Sequence, residues 1–271
     1  MCTFNGSDSW VILSPIEQSI KNKIESVGTP LRDWNINIYR GVLTGYNEAF
    51  IIDTAKREEI LANCKTEDER KRTAELIRPI LRGRDIKRYG YDWAGLYLIA
   101  TFPAKHYDID RYPAVKNYLL SIGIEKLEQT GKTHIINGEV IKARKKTNNK
   151  WYETQDSISY WDDFFKPKLF YADITQELNF VQCDDVMFCN NTTYFMVAKD
   201  SSLLPLIQHY LNSKLVDWYY RTLSVQLGEK AVRMFSIYVL NIPIPKSLNN
   251  DIYTEYNLSA EEIKYIENRE L

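Results

Sequence analysis

The stretch Glu75-Leu-Ile-Arg-Pro-Ile-Leu-Arg-Gly-Arg-Asp-Ile-Lys-Arg-Tyr89 threads a short apolar ladder with cations. Leu76, Ile77, Ile80, Leu81 and Ile86 can anchor a helix end and a turn in a core, while Arg78, Arg82, Arg84, Lys87 and Arg88 project outward. Between residues 70 and 88 eight cations stand against two acids, a net of +6. Such a surface suits a polyanion, although charge alone favours the plainer account of a solvated helix face. Thr66-Glu-Asp-Glu69 is a capping box that opens a helix into the ladder, and Pro79 should end or bend that helix, because proline lacks an amide donor and crowds the preceding turn.

Working outward, Ser14-Pro15-Ile16-Glu17 starts a helix whose Ile16, Ile20, Ile24 and Val27 recur at helical spacing up to Gly28. Trp34, Ile36 and Ile38 alternate with Asn35 and Asn37 as a strand, and residues 41–50 follow as a loop. Thr54 starts a second helix, residues 96–102 read as a buried strand, and residues 112–122 are helical. Residues 133–150 have weak periodicity and end in cations, which suggests a mobile loop or subdomain joint. Beyond it, strands are expected over residues 168–174 and 193–198, one long helix over 203–223, an extended segment over 236–244, and a last helix capped by Ser259. The pattern is α+β: mixed sheets with flanking helices. It divides into an N-terminal helix and lead-in (1–30), a main unit (31–246) that could form two subdomains about the joint, and an acidic C-terminal helix (247–271).

Composition excludes several classes. Hydrophobic content of 44% and charged content of 26% over 271 residues suit an ordinary globular chain. A net charge of -1 argues against binding a polyanion through bulk charge, but the charge is polarised: residues 142–150 carry +5 and residues 251–271 carry -4. Cys2, Cys64, Cys183 and Cys189 show no Cys-x-x-Cys spacing and the three histidines are scattered, so no zinc site is expected. The first eleven residues lack a basic start and an apolar run, and no stretch approaches a membrane span. A cytoplasmic protein with reduced thiols, and no membrane partner, is expected.

Catalytic constellations are scarce. Glycine-rich nucleotide loops, a Gly-x-Ser-x-Gly elbow and His-x-Glu arrangements do not occur. Asp85-Ile-Lys87 has the acid-x-lysine form of metal-dependent nucleases, with Glu75 upstream, but it follows a helix among arginines rather than lying on a strand, and the same triplet recurs as Glu262-Ile-Lys264. The glycines of Gly41-x-x-x-Gly45, with Thr44 and Asn47, could expose amides to a phosphate or simply supply positive φ in a turn. Trp151, Tyr152, Tyr160 and Trp161 could stack on bases or fill a core.

Four blocks in order carry a resemblance: Gly28-Thr-Pro-Leu-Arg-Asp-Trp34 with Tyr39-Arg-Gly-Val-Leu-Thr-Gly-Tyr-Asn-Glu-Ala-Phe-Ile-Ile-Asp53; Ile77 to Tyr89 with Leu96-Tyr-Leu-Ile99; Trp151-Tyr-Glu153 with Lys166-Pro-Lys168; and Leu211-Asn-Ser-Lys-Leu215 with Ile242-Pro-Ile-Pro245. On these the chain resembles the TaqI-like C-terminal specificity domain, the target recognition domain of type II restriction and modification enzymes that methylate adenine. The resemblance implies a module that grips duplex DNA and reads bases in the major groove. It also implies that catalysis and S-adenosylmethionine belong to a methyltransferase domain or subunit, with an endonuclease as a further partner, and that this chain carries no cofactor or metal itself. The chain would then be an excised domain or a separate recognition subunit, binding DNA weakly alone.

The expected DNA contacts are Arg40, Thr44 and Asn47 of the first loop; Arg82, Arg84, Lys87 and Arg88 of the ladder; Lys142, Arg144, Lys145 and Lys146 of the basic run; and Trp151, Lys166 and Lys168. Arg78 and Asp85 are expected to brace the wall by pairing. Base readers should lie in residues 133–155, which match the family least. The rival readings are a protein-interaction or scaffold module and, less favoured, a nuclease using Asp85 and Lys87.

Overall fold

A computed structural model describes residues 13–224, 226–228, 230–247 and 251–269. The expectations for the first eleven residues, Cys2 and Glu270 lie outside these.

The chain passes through α1 (Pro15–Val27), β1 (Ile36–Arg40), β2 (Ile51–Asp53), α2 (Thr54–Ala62), α3 (Glu67–Leu76), β3 (Ile77–Leu81), β4 (Leu96–Ile99) and α4 (Pro113–Ile122). Then follow β5 (Thr133–Ile136), β6 (Glu139–Lys142), β7 (Lys168–Ala172), β8 (Val181–Cys183), β9 (Phe188–Cys189), β10 (Thr193–Ala198), α5 (Leu204–Leu211), α6 (Lys214–Leu223) and α7 (Ala260–Glu267). Shorter elements join these. The α+β class with mixed sheets and flanking helices is what the structure has.

An antiparallel sheet of order β8-β7-β10-β1 forms the middle layer. Successive side chains of a strand point to opposite faces, and here both faces are buried. Leu169, Tyr171, Tyr194 and Met196 turn towards α1, α5 and α6 in one core, while Phe170, Phe195, Val197 and Val181 turn towards the second sheet in another. The register keeps like with like: Phe170 lies opposite Phe195, and Phe195 opposite Tyr39. That is why β10 reads as an unbroken apolar run, buried at every position. The second sheet has order β9-β3-β4-β2, with β9 parallel to β3 and the other pairs antiparallel.

Several elements differ from expectation. The helix entering the cationic ladder ends at Leu76, and Pro79 lies inside β3 instead of kinking a helix. Pro79 pairs with Tyr97 of β4, while β9 reaches only Ile80 and Leu81, so the residue without an amide has a strand neighbour on one side only. Residues 203–223 form two helices. Buried Asn212 exchanges hydrogen bonds with the Phe180 backbone, and Ser213 caps α6 through the Val216 amide. The expected mobile loop contains the β5–β6 hairpin, closed by Asn137 and Gly138 at φ of 51° and 83°, the combination a tight hairpin turn needs. Residues 236–239 turn helically where an extended segment was expected.

The acidic C-terminal helix docks on the first helix. Glu17 accepts from Tyr265 Oη (2.7 Å) and Arg269 (3.1 Å), and Glu262 from Ser19 Oγ (2.7 Å) and Lys23 Nζ (2.7 Å). Burial pushes both carboxyls up, but these bonds and those from the capping serines outweigh it and hold each at about 2 against the usual 4.5. Because the folded values lie below the unfolded ones, this stabilisation is complete above pH 4.5 and is lost as pH falls towards 2. Hydrogen exchange in α7, corrected for intrinsic rates, should therefore accelerate relative to β10 below that pH. Equal protection of α7 at neutral and acid pH would contradict this account.

Candidate nucleic-acid interface

Four segments distant in sequence enclose a cleft of about 560 Å³, lined by Asn47, Arg82, Arg84, Asp173, Asn190 and Thr192 among others. Backbone bonds stitch the segments together. Gly41 N donates to Thr193 O (2.8 Å), Val42 N to Cys189 O (2.7 Å), Asn190 N to Leu81 O (2.9 Å), and Asp173 N to Thr192 O (2.9 Å). Gly83 N donates to Thr192 Oγ1 (3.0 Å). Gly41 is required for space, since a Cβ there would stand 2.1 Å from Asn190 O, whereas Gly45 supplies a positive φ of 80°. The expected alternative, positive φ at both, therefore holds for Gly45 alone.

The charges are arranged in two layers. Asp85, buried, accepts from Arg82 Nε (3.0 Å), Arg82 Nη2 (2.7 Å) and the Arg82 amide (2.9 Å). Burial raises its pKa, but the Arg82 bonds outweigh burial and hold it below the usual carboxylate range. Asp173, also buried, stands 3.5 Å from Arg40 Nη2 and 3.8 Å from Arg233 Nη2, and Arg40 Nε donates to Asn191 O (3.0 Å). Arg40, Arg82, Arg84 and Arg233 thus converge at or beside the cleft, four guanidinium groups against two carboxylates. Asn47, Asn190 and Thr192 also line the cleft, and the Thr192 hydroxyl, which accepts from Gly83 N, donates to Asn190 Oδ1 (2.6 Å).

Of the residues expected to touch DNA, Arg40, Asn47, Arg82 and Arg84 are brought together here. Lys87 is exposed beyond the cleft. Lys142, Lys145 and Lys146 are exposed at the hairpin and just after it. Lys166 is exposed but pairs with Asp163 at 2.5 Å. Arg88 is exposed along its length, yet its Nη2 donates to Asn212 O (2.6 Å), so it ties the ladder to the α5–α6 junction.

Three expected contacts are corrected. Thr44 is buried, and its hydroxyl donates to Asn47 Oδ1 (2.7 Å), orienting that amide instead of meeting a phosphate. Lys168 is buried, with Nζ donating to Asp185 O (2.8 Å) and burial drawing its pKa down. Arg144, 3% exposed, gives its guanidinium to the carbonyls of Leu127, Thr44, Glu153 and Trp151. It bolts the hairpin stem to the Thr44 loop and has no face left for DNA. The expected Arg78–Asp85 pair is also replaced: Arg82 takes Asp85, and Arg78 lies over the rings of Trp161 (5.9 Å) and Phe165 (5.4 Å).

The aromatic group goes mainly to the core. Tyr160 stacks on Tyr39 at 4.3 Å, Tyr152 is buried with its hydroxyl on Tyr107 O, and half-buried Trp151 packs edge-on to Tyr152 at 5.5 Å. Sequence reasoning missed Asp173, Asn190, Thr192 and Arg233. No local pattern marks them, because they meet the cleft only through strand pairing. Among the described residues no cluster of three His, Cys, Asp or Glu side chains could hold a metal, and no helix is long and apolar enough to cross a membrane.

Residues 78–244 match the TaqI-like C-terminal specificity domain. This is more than half of the chain, and the protein belongs to that family. It is 24% identical over 244 residues to the type II methyltransferase M.PaeR7I of Pseudomonas aeruginosa, a match covering 89% of this chain and 38% of that enzyme. The chain thus spans well under two thirds of that relative's length. Two solved structures also align: the type IIG restriction endonuclease BpuSI (TM-score 0.49, 13% identity, 94% of this chain and 28% of that one), and the type IIL restriction-modification enzyme MmeI in complex with DNA (TM-score 0.47, 14% identity, 76% and 24%).

Proposed function

We propose that the chain recognises a duplex DNA sequence on behalf of an adenine-specific DNA methyltransferase in the cytoplasm. Catalysis and S-adenosylmethionine lie on another domain or subunit, and a cleaving function, where present, lies there too. The observation that carries this reading is the convergence of Arg82 and Arg84 in a cleft also lined by Asn47, Asn190 and Thr192, with Arg40 and Arg233 beside it at Asp173. Guanidinium groups suit phosphates, which set affinity and register, while a side-chain amide such as that of exposed Asn47 suits base edges, which set sequence.

Fluorescence anisotropy with a labelled duplex pool, titrated over a range of salt, tests it. The unaltered chain should bind with a steep salt dependence. Replacing the exposed Arg84 and Lys87 by alanine removes two phosphate contacts, so the slope of log affinity on log salt becomes shallower by about 1.8, with all sequences weakened alike. No salt-dependent binding by the unaltered chain, or an unchanged slope in the variant, would overturn the reading.

A further inference from the structure

The β5–β6 hairpin presents a face that the fold does not use. In its register Thr133 pairs with Lys142, His134 with Ile141, Ile135 with Val140 and Ile136 with Glu139. Alternation puts His134 and Ile141 on one face, both partly buried, and Thr133, Ile135, Val140 and Lys142 on the other. Ile135 is 76% exposed and Val140 73%, the two most exposed large hydrophobic residues described. A paired, solvent-facing aliphatic couple on a two-stranded ribbon is a liability that proteins normally avoid unless it is covered in use.

The arm is tied to the body of the protein at its stem. Its tip is the tight Asn137-Gly138 turn. At its stem His134 Nε2 lies 2.6 Å from Glu128 Oε1, Ala143 N donates to Lys132 O (2.9 Å), Gly131 N to Arg144 O (2.8 Å), and Arg144 locks the stem to the loop that carries Asn47. The stem of the hairpin is therefore tied to the loop that leads into Asn47 of the cleft. Lys142 shares the face of the aliphatic pair and Lys132, Lys145 and Lys146 lie at the stem, all exposed, while of the nearby acids Glu128 is engaged by His134 and Glu139 sits on the opposite face. An apolar pair with cations beside it and at its stem complements a surface that is polyanionic at its rim and carries apolar groups within. The major groove of B-DNA has that character, at about 12 Å wide it admits a two-stranded ribbon, and its apolar feature is the C5-methyl group of thymine.

We propose that this hairpin is the sequence-reading arm, and that Ile135 and Val140 read thymine by packing on its C5-methyl in the major groove, with Thr133 and Lys142 beside them. This rests on the DNA-recognition reading above and adds to it the element and the base feature read. The unaltered chain and the Ile135→Ser/Val140→Ser variant are each used to select duplexes from a random pool, and the enriched duplexes are re-synthesised with uracil in place of thymine. The unaltered chain should enrich a thymine-containing motif and lose about three- to five-fold in affinity for each critical methyl removed, the value of burying one such group. The variant should be indifferent to the replacement, while keeping low-salt affinity for unrelated duplex and the same thermal unfolding. An enriched motif without thymine, no enrichment at all, or a variant that still discriminates uracil would overturn the proposal while leaving general DNA binding in place. Absence of binding by the unaltered chain to any duplex would remove both readings. A concentration-dependent dimer abolished by the serine variant, without uracil discrimination, would assign the pair to a second copy of the chain and overturn it as well.

Discussion

Replacing Arg144 by methionine should lower the free energy of unfolding by at least about 2 kcal/mol, a large share of what a domain has. The guanidinium donates at 2.7 to 2.8 Å to the carbonyls of Leu127, Thr44, Glu153 and Trp151, and the side chain is nearly inaccessible. Methionine fills the volume but leaves Leu127 O and Trp151 O without donors, each a cost of about 1–3 kcal/mol before relaxation, while Thr44 O and Glu153 O keep the bonds they accept from Gln155 N and Gln129 Nε2. Burial draws the guanidinium pKa down to about 10, so the group remains a cation at neutral pH. Lysine should rescue only part of the loss, because its three donors radiate from a point and cannot span four carbonyls held by a planar fork. Urea unfolding measures the loss, and hydrogen exchange should show it concentrated in residues 127–155. A change under about 1 kcal/mol would mean that water replaces the guanidinium and that the hairpin stem has other anchors.

Asp85→Ala should cost about 2–4 kcal/mol, because breaking a buried ion pair leaves an uncompensated partner. The lower part of that range reflects Arg82, whose side chain retains 22% exposure and can recover some hydration. The loss should also depend on pH. The Asp85 pKa is depressed in the fold, so its stabilisation is present above the ordinary value of 3.8 and fades as pH falls below it. Unfolding curves of the two proteins should therefore converge in acid. This result also separates a structural aspartate from a catalytic one. Both oxygens of Asp85 are engaged by Arg82, and among the described residues no second or third acid, His or Cys stands with it to hold a divalent cation. Metal-dependent cleavage of duplex DNA, lost in Asp85→Ala at unchanged stability, would restore the nuclease reading.

Much of the architecture was legible in the chain. The helix starts at Ser14, Thr66 and Ser259 carry their caps in the sequence, and each side chain accepts the backbone amide three residues on. Capping is a contact between near neighbours, so spacing alone reveals it. The hairpin is equally local: Asn137-Gly138 between aliphatic residues is a strong turn signal, obscured by the run of cations that follows. The α5–α6 break was only half local, since Ser213 is a visible cap but Asn212 is pulled out of the helix by the Phe180 backbone, 32 residues earlier.

By itself the sequence determined that the cationic ladder from Glu75 to Tyr89 would lie at a surface with its isoleucines and leucines inward, because burying an alkyl chain and solvating a guanidinium are demands each side chain makes wherever it sits. Only the tertiary structure decided which cations were left to act. Arg144 and Lys168 read as surface charges yet are buried against carbonyls, Arg88 is exposed but anchored through one nitrogen to Asn212, and Arg233, unmarked by any motif, joins Arg40 at Asp173. A charge is free or consumed according to the acceptors that distant strands place beside it, and that depends on pairing register, which no local pattern carries.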